Sequence, residues 1–226
     1  VVPSASLLIA RLYKEAGLPD GLFNVVAGDR GLVSEILTHP GIDAISFVGS
    51  TPVAHIVQDT GVAHGKRVQA LGGANNHAIV MPDADIEFAA QHISAGAFGA
   101  AGQRCMALPV IVAVGGVEDK LVPAIKERAE KIVVGPGTQP ASEMGPVITR
   151  ASQERITGWI DDAEAKGATV VLDGRGYRPE GEEYANGFWL GPTILDNVDR
   201  DLSVYCEEVF GPVLVVIRAQ TYEEAI

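Results

Sequence analysis

The stretch "FGAAGQRCMALP", residues 98–109, places a thiol, Cys105, directly after the guanidinium of Arg104. The small residues before it leave space around the sulfur. The positive charge of the arginine favours the thiolate, which is the nucleophilic form of cysteine. A buried structural cysteine is the alternative, and the spacing alone favours neither interpretation. Cys105 is therefore a candidate nucleophile whose surroundings depend on the fold.

The second cysteine, Cys206, lies in "VYCEEVFGP" beside two acidic residues. Their negative charge disfavours a thiolate, so we interpret Cys206 as structural. Two cysteines make no disulfide framework, and this usage predicts a reducing compartment. The five histidines show no pairing typical of a metal site, and no metal is predicted.

A possible anion-binding turn occurs in "FVGSTP", where an apolar strand runs into a helix. Gly49 allows close approach of a ligand to the backbone, Ser50 adds a hydroxyl, and the free N–H groups of the first helical turn favour a phosphate. We predict Thr51 as the N-cap and Pro52 as the first helical residue. Plain helix capping is the alternative, and it is favoured by this segment alone. A similar turn stands at Gly28.

Charge and composition exclude some classes of function. The chain has 226 residues, 47% of them hydrophobic, and a net charge of −12. Binding to nucleic acid or to an anionic membrane surface needs clustered Lys and Arg, so neither is predicted. No apolar run approaches membrane-spanning length. We expect a globular α/β protein with a substantial core.

Alternating helices and short apolar strands must position these residues. Strands are predicted in "LFNVVAG", "IDAISFVG", "KRVQALGG", "HAIVM", "PVIVAV", "TVVLDG", "FWLGPTIL" and "PVLVVI", with helices between most of them. This alternation predicts parallel sheets covered by helices. The chain begins with Val rather than Met and stops in "TYEEAI", which reads as the start of a helix. We therefore expect a fragment of a longer protein.

Four segments, "FVGSTPVA", "LGG" at 71–73, "GQRC" at 102–105 and "EEVFGPV" at 207–213, resemble in order and spacing the NAD(P)-dependent aldehyde dehydrogenase superfamily. The resemblance runs the full chain. "GKRVQALGGANNHAIVMPDAD" and "VGPGTQPASEMGPVIT" resemble most its acylating, CoA-dependent methylmalonate-semialdehyde branch. The resemblance implies an α/β fold with two Rossmann-like parallel-sheet domains, both incomplete. Residues 1–72 would be the later part of the NAD-binding domain, and residues 73–226 the catalytic domain.

The resemblance also implies roles for individual residues. Cys105 would be the nucleophile that forms a thiohemiacetal and then a thioester, and its backbone N–H would supply half of an oxyanion hole. Glu208 would hold the nicotinamide ribose hydroxyls; a solvated carboxylate is the alternative. The remaining implied NAD contacts are Gly49 and Ser50 at the pyrophosphate, Gly28 at a neighbouring turn, Leu71 and Gly72 at the nicotinamide, and Phe210 beside Glu208.

One departure from the family pattern carries chemical information. Hydrolytic members have Glu directly before "LGG", where this chain has Ala70. A methyl group cannot activate water, so thioester hydrolysis should be slower by about 10²–10⁴-fold, the usual value of general-base catalysis. The resemblance implies coenzyme A as the acceptor instead.

Arg104 is expected to bind a substrate carboxylate bidentately. By resemblance, the substrate is malonate or methylmalonate semialdehyde, which is oxidised, decarboxylated and transferred to CoA to give acetyl-CoA or propanoyl-CoA, as in valine catabolism. Arg104 could instead tune the thiol or pair with an acid. A hydrolytic aldehyde dehydrogenase and an inactive truncated dinucleotide-binding domain are the alternative functions.

The resemblance implies further expectations for the full-length protein. It would use NAD, although NADP remains open, with CoA as co-substrate. It would form a homo-oligomer, a dimer or tetramer, in the cytoplasm or, in a eukaryote, in the mitochondrial matrix. The 226 residues alone would be inactive.

Overall fold

The chain folds into two compact units, the first ending at Gly73 and the second spanning Ala74–Ile226. A computed structural model describes residues 2–226. Residue 1, where the predicted NAD-binding segment begins, lies outside the described residues. No helix in the described part of the chain is both long and apolar enough to cross a bilayer.

In the first unit, a parallel sheet pairs β1 (Ala44–Val48) with β2 (Arg67–Leu71), and Val48 lies opposite Leu71. Helix α3 (Thr51–Ala63) joins the two strands and packs against them at Gly61, where a Cβ would lie 2.6 Å from Val68. Because both strands end at one edge, the turn that leaves β1 and the chain that leaves β2 lie side by side.

The other helices of this unit are α1 (Ser4–Glu15) and α2 (Arg30–Thr38), and both were predicted. Asp29 caps α2 by accepting a hydrogen bond from the Gly31 N–H at 2.9 Å. The predicted strand "LFNVVAG" is wrong, because residues 22–28 form no strand. Leu22, Phe23 and Val26 are exposed, and among residues 2–226 the sheet of this unit consists of β1 and β2.

The second unit is built around a five-stranded sheet of order β3-β4-β7-β6-β5. Its strands are β3 (His77–Val80), β4 (Val110–Val114), β5 (Thr169–Leu172), β6 (Thr193–Asp196) and β7 (Val213–Ala219). The sheet is parallel except where β5 pairs antiparallel with β6, so it is mixed rather than purely parallel. Strands β4 and β6 are buried along their whole length, which is the pattern of a sheet covered on both faces.

The helices of the second unit agree with the amphipathic segments of the sequence. They are α4 (Ile86–Phe98), α5 (Glu118–Glu130), α6 (Arg150–Ala165), α7 (Ser203–Cys206) and α8 (Tyr222–Ala225), with 3₁₀ turns at Gly99–Gly102 and Glu182–Tyr184. Phe98, Leu121 and Ile156 are fully buried side chains that anchor α4, α5 and α6 in the core. The short helix α7 was not predicted.

Three parallel strands bring the candidate residues together. Asn76 immediately precedes β3, the Cys105 turn precedes β4, and Glu208 precedes β7. These strands are neighbours in the order β3-β4-β7 and run in one direction, so their amino-terminal ends meet at one edge. The candidate site of this unit is thus assembled at the edge where the strands begin.

Candidate functional site

The chain reaches Cys105 through an unusual backbone. After α4, Ala100 and Ala101 adopt left-handed φ values of 53° and 54°, and Gly102 has φ 64°. A Cβ at Gly102 would collide with the carbonyl of Gly211, on the segment that carries Glu208. The small residues before the cysteine therefore allow tight backbone packing, in addition to any space they leave around the sulfur.

Cys105 is exposed and lies in a turn closed by a hydrogen bond of 3.0 Å from the Ala107 N–H to the Arg104 carbonyl. The side-chain amide of Asn76 donates to the carbonyls of Cys105 and Ala107, both at 2.8 Å. Among residues 2–226, neither the thiol nor the backbone N–H of Cys105 has a hydrogen-bond partner. The turn therefore presents both groups of Cys105 to a ligand.

Arg104 folds back towards the end of α4, where a Cβ on Gly99 would lie 2.8 Å from its Cζ. Within the described chain, its guanidinium forms no hydrogen bond and no ion pair. It lines a cavity of about 450 Å³ together with Ser94, Arg128, Lys131 and Glu143. A guanidinium without a partner at the wall of a cavity is suited to hold a ligand carboxylate.

Glu208 is half-buried in the segment between α7 and β7. It lines a second, very small cavity of about 10 Å³, which Arg104, Phe210 and Gly102 also line. Phe210 has a left-handed φ of 48°, which is costly for a residue with a side chain and holds the segment in a sharp bend. The structure thus brings Arg104, Glu208 and Phe210 around one cavity, and Cys105 is the residue that follows Arg104 in the chain.

Arg155, from α6, fixes the same segment from outside the cavity. Its Nη2 donates to the Val209 carbonyl at 2.8 Å, and its guanidinium lies 4.6 Å from the centroid of Trp159. Burial lowers the pKa of Arg155, and the negative charge of Glu208 opposes that shift. Arg155 therefore places a positive charge close to the Glu208 carboxylate.

In the first unit, the predicted anion-binding turn follows β1. The Gly49 N–H donates to the Leu71 carbonyl at 3.1 Å, and a Cβ on Gly49 would lie 2.5 Å from the Phe47 ring. The predicted start of α3 is wrong by one residue: the N-cap is Ser50 rather than Thr51, and Pro52 is the second helical residue rather than the first. The Ser50 side chain makes no capping bond. Its hydroxyl and the N–H groups of the first turn therefore remain available to an anion.

The end of β2 lies against this turn. Thr51, the first residue of α3, accepts a hydrogen bond at Oγ1 from the Gly73 N–H at 3.0 Å, and a Cβ on Gly72 would lie 2.8 Å from that oxygen. The structure thus brings Gly49, Ser50, Leu71 and Gly72 together. No hydrogen bond in the described chain joins Gly28 to them; its nearest close contact is Leu32.

Each unit, taken by itself, offers groups whose chemistry fits one part of a dinucleotide. The turn at Gly49 offers backbone N–H groups and a free hydroxyl, which suit a pyrophosphate, and Glu208 is a half-buried carboxylate that can accept from ribose hydroxyls. Among residues 2–226, no group of three His, Cys, Asp or Glu side chains could hold a metal ion.

Sequence analysis missed Asn76, although it makes two contacts with the nucleophile turn. Its partners are 29 and 31 residues away in sequence. The signal available was the pair Asn75–Asn76 directly before a strand, because asparagine amides often bind backbone groups. That signal does not say which backbone segment is bound.

Comparison with known proteins shows the family to which the chain belongs. The sequence profile of the aldehyde dehydrogenase family matches residues 1–226. Malonate-semialdehyde dehydrogenase of Pseudomonas aeruginosa is 48% identical over 225 residues, which cover 99% of this chain and 45% of that protein. The mitochondrial acylating methylmalonate-semialdehyde/malonate-semialdehyde dehydrogenase of Bos taurus is 46% identical, over 100% of this chain and 41% of that protein.

Solved structures of aldehyde dehydrogenases have a similar fold. The methylmalonate-semialdehyde dehydrogenase of Oceanimonas doudoroffii superimposes with a TM-score of 0.93 at 50% identity, covering 99% of this chain and 46% of that chain. An aldehyde dehydrogenase of Mycobacterium tuberculosis complexed with NAD⁺ superimposes with a TM-score of 0.89 at 32% identity, covering 99% and 45%. The α/β fold expected from the sequence is confirmed, and the chain spans about half the length of these relatives.

Proposed function

Because the chain belongs to the aldehyde dehydrogenase family, we propose that the full-length protein oxidises malonate or methylmalonate semialdehyde with NAD and transfers the product to coenzyme A. The observation that carries this proposal is Arg104, a guanidinium without a partner in the described chain, next to the exposed thiol of Cys105. An aldehyde that also bears a carboxylate satisfies both groups at once.

Cys105 is the proposed nucleophile. Its thiolate attacks the aldehyde carbon to form a thiohemiacetal, and the negative charge that develops on oxygen is stabilised by the unpaired Cys105 N–H. Loss of two electrons and one proton from the former aldehyde C–H bond converts the thiohemiacetal oxyanion to a thioester on Cys105. NAD, when bound, supplies the oxidant for that conversion.

Each unit has its own proposed NAD contacts. In residues 1–72, Gly49 and Ser50 bind the pyrophosphate, with Gly28, Leu71 and Gly72 as further contacts. In residues 73–226, Glu208 accepts hydrogen bonds from the ribose hydroxyls, and Phe210 packs beside it. We assign these two segments to the NAD-binding and catalytic domains.

Arg104 is proposed to bind the substrate carboxylate in a bidentate ion pair, which orients the aldehyde carbon towards the neighbouring Cys105. After the thioester has formed, the carboxylate lies β to its carbonyl. That carboxylate leaves as CO₂, its electron pair passes to the α-carbon, and the α-carbon takes up a proton. The acyl group that remains is acetyl or propanoyl.

The choice of acceptor depends on the end of β2. Neither of its last two residues, Ala70 and Leu71, carries a base, so water is not activated there. The thiol of CoA ionises more readily than water and needs less help. It attacks the thioester, and Cys105 leaves as the thiolate.

The test is product analysis with the full-length protein. With NAD and methylmalonate semialdehyde, omission of CoA should reduce steady NADH formation to less than about one tenth, after one burst equivalent per active site. With CoA, mass spectrometry should detect propanoyl-CoA. Full-rate turnover without CoA and release of free acid would select a hydrolytic enzyme. Absence of any NADH would select an inactive domain.

A matched pair of substitutions tests whether a carboxylate at the end of β2 allows water to replace CoA as the acceptor. Ala70 and Leu71 are consecutive in β2, so their side chains point to opposite faces of the strand. We predict that Ala70→Glu raises CoA-independent acid release at least about tenfold, whereas Leu71→Glu, on the opposite face of the strand, does not raise it. An equal effect of both variants, or no effect of either, would contradict the proposed role of this strand end.

We further propose that the full-length enzyme is a homo-oligomer in a reducing compartment, either the cytoplasm or the mitochondrial matrix. The two free cysteines of the described chain support the reducing compartment, and the oligomer is proposed from the family resemblance alone. The bovine relative is named as mitochondrial. Size-exclusion chromatography with light scattering tests the oligomeric state.

A further inference from the structure

Asn76 stands apart from the residues that could touch substrate, yet it makes two hydrogen bonds to the turn that carries the nucleophile. Its Nδ2 lies 2.8 Å from the Cys105 carbonyl oxygen and 2.8 Å from that of Ala107. We propose that Asn76 is a positioning residue that sets the orientation of the Cys105 backbone N–H and thiol for the reaction. This inference rests on the proposed function of Cys105.

The geometry of the peptide bond explains how the carbonyls control the turn. In a trans peptide, the C=O and the N–H point in opposite directions, so holding one of them fixes the other. The Arg104 carbonyl is held by the Ala107 N–H, which directs the Cys105 N–H away from the turn. Asn76 holds the Cys105 carbonyl, which belongs to the following peptide, so both peptides that flank the Cys105 Cα are fixed and with them the direction of its side chain. Asn76 acts on the Cys105 N–H through Ala107, because it bonds the carbonyl of the residue whose own N–H holds the Arg104 carbonyl.

The backbone is held on either side of the turn, by the Gln103 N–H bond to Ala100 and the Leu108 N–H bond to Gly96, but between them the Ala107 N–H bond to Arg104 is the one backbone bond among the described residues. Ala100, Ala101 and Gly102 reach the turn through left-handed conformations, and the Cys105 N–H has no partner in the described chain. A turn with exposed residues and few internal bonds can relax among several conformations. An external anchor on two carbonyls removes that freedom before substrate binds, which is the condition for a preorganised oxyanion donor.

An amide is the side chain that this position requires. Both acceptors are carbonyl oxygens, and the NH₂ group of asparagine offers one hydrogen to each. A carboxylate of the same size offers none and places negative charge against the two oxygens. Asp at this position is therefore an isosteric variant that reverses the interaction.

Asn75 provides a matched control one residue away. Its Nδ2 donates to the carbonyl of Tyr205, at 2.7 Å, in α7 rather than in the nucleophile turn. Asn75→Asp makes the same chemical change in a neighbouring backbone contact. If the effect of Asn76→Asp came from general destabilisation before β3, Asn75→Asp should reproduce it.

The experiment compares Asn76→Asp, Asn76→Ala and Asn75→Asp in the full-length protein, by the rate of the NADH burst at saturating NAD and aldehyde. We expect the burst rate to fall about 10²-fold in Asn76→Asp and about tenfold in Asn76→Ala, since a misplacement of about 1 Å can cost 10²-fold. Asn75→Asp should stay within about threefold of the wild type. The KM for NAD should change less than about threefold in all three variants.

A pH profile distinguishes positioning from loss of structure. The carboxyl group of Asn76→Asp would face two carbonyl oxygens, and this repulsion raises its pKa above the ordinary Asp value of about 3.9. Once protonated, it can donate one hydrogen bond again. The ratio of the variant burst rate to the wild-type rate should therefore rise as pH falls from 8 towards 5, and the ratio for Asn75→Asp and Asn76→Ala should not.

The possible results distinguish a failure of the positioning role of Asn76 from a failure of the proposed function. A burst rate of Asn76→Asp within twofold of the wild type, a flat pH ratio, or an equal loss in Asn75→Asp would overturn the positioning role. If Asn76→Asp does not fold, the tenfold loss in Asn76→Ala is the deciding result. A wild type that gives an NADH burst but no acyl-CoA would overturn the proposed function and leave the comparison of asparagine variants valid.

Discussion

The two cysteines of this chain are both exposed, Cys105 in a turn and Cys206 at the end of the short helix α7, and their polar groups are bonded in opposite ways. Cys206 donates from Sγ to the Arg200 carbonyl at 2.8 Å, and its N–H bonds to the Leu202 carbonyl. Cys105 has an unpaired thiol and an unpaired N–H within the described chain. Both segments are anchored by an asparagine, Asn75 for that of Cys206 and Asn76 for that of Cys105.

The difference in hydrogen bonding between the two cysteines shows which property distinguishes a candidate catalytic thiol from a structural one. Exposure does not separate the two thiols, because both are exposed. The separating property is whether the polar groups around the sulfur are already bonded to the protein. At Cys206 the protein satisfies them, which is typical of a structural residue, whereas at Cys105 they are left for a ligand while the carbonyls of the same turn are fixed.

The largest expected effect is the difference in NADH burst rate between alanine variants of the two cysteines. Cys105→Ala removes the nucleophile and should lower the NADH burst rate by about 10⁴-fold or more, whereas Cys206→Ala should leave it within about twofold. Stopped-flow measurement of NADH with the full-length protein checks this pair. A normal burst in Cys105→Ala would remove Cys105 from the mechanism.

An intermediate effect is expected from the arginines beside the two cysteines. Arg104→Gln removes a charge-assisted contact of about 1.5–3 kcal/mol and should raise the KM for malonate semialdehyde about 10–100-fold. The KM for propanal, which has no carboxylate, should not change. Arg200→Gln is the matched control and should alter neither value. An equal loss for both aldehydes in Arg104→Gln would mean that the arginine acts on the thiol instead.

The smallest expected effect is on stability. Here Cys206→Ala should cost more than Cys105→Ala, the reverse of their effects on the burst rate. Cys206→Ala removes the hydrogen bond to the Arg200 carbonyl and should lower the free energy of unfolding by about 0.5–1 kcal/mol. Cys105→Ala breaks no side-chain bond and should change it by less than about 0.5 kcal/mol. Urea denaturation of the two variants gives both values; a larger loss in Cys105→Ala would contradict the comparison.

The parts of the fold with strong local patterns were predictable. Helices such as α2, with Asp29 at its N-cap, and buried strands such as β4 follow from capping residues and continuous apolar runs. "LFNVVAG" failed because a strand needs a neighbouring strand, and none pairs with it in the described chain. "FWLGPTIL" forms a strand only from Thr193, since Pro192 before it has no N–H to donate.

The candidate site was predictable in its residue types more than in its geometry. The sequence identified Cys105 and Arg104, but not the left-handed Ala100 and Ala101 that lead into the turn. Alanine has no local signal for that conformation, which is imposed by the packing of Gly102 against Gly211. Asn76 was missed for a similar reason, because its partners are set by the order of the strands and not by adjacent residues.

The most direct test of the proposed mechanism is to trap the acyl group on the enzyme. The full-length protein is incubated with NAD and methylmalonate semialdehyde without CoA, quenched in acid and mapped by peptide mass spectrometry. We predict a propanoyl thioester on Cys105 with close to one equivalent per active site, which disappears when CoA is added before the quench and appears as propanoyl-CoA. An acyl group on Cys206, or an unmodified Cys105 after NADH has formed, would contradict this account.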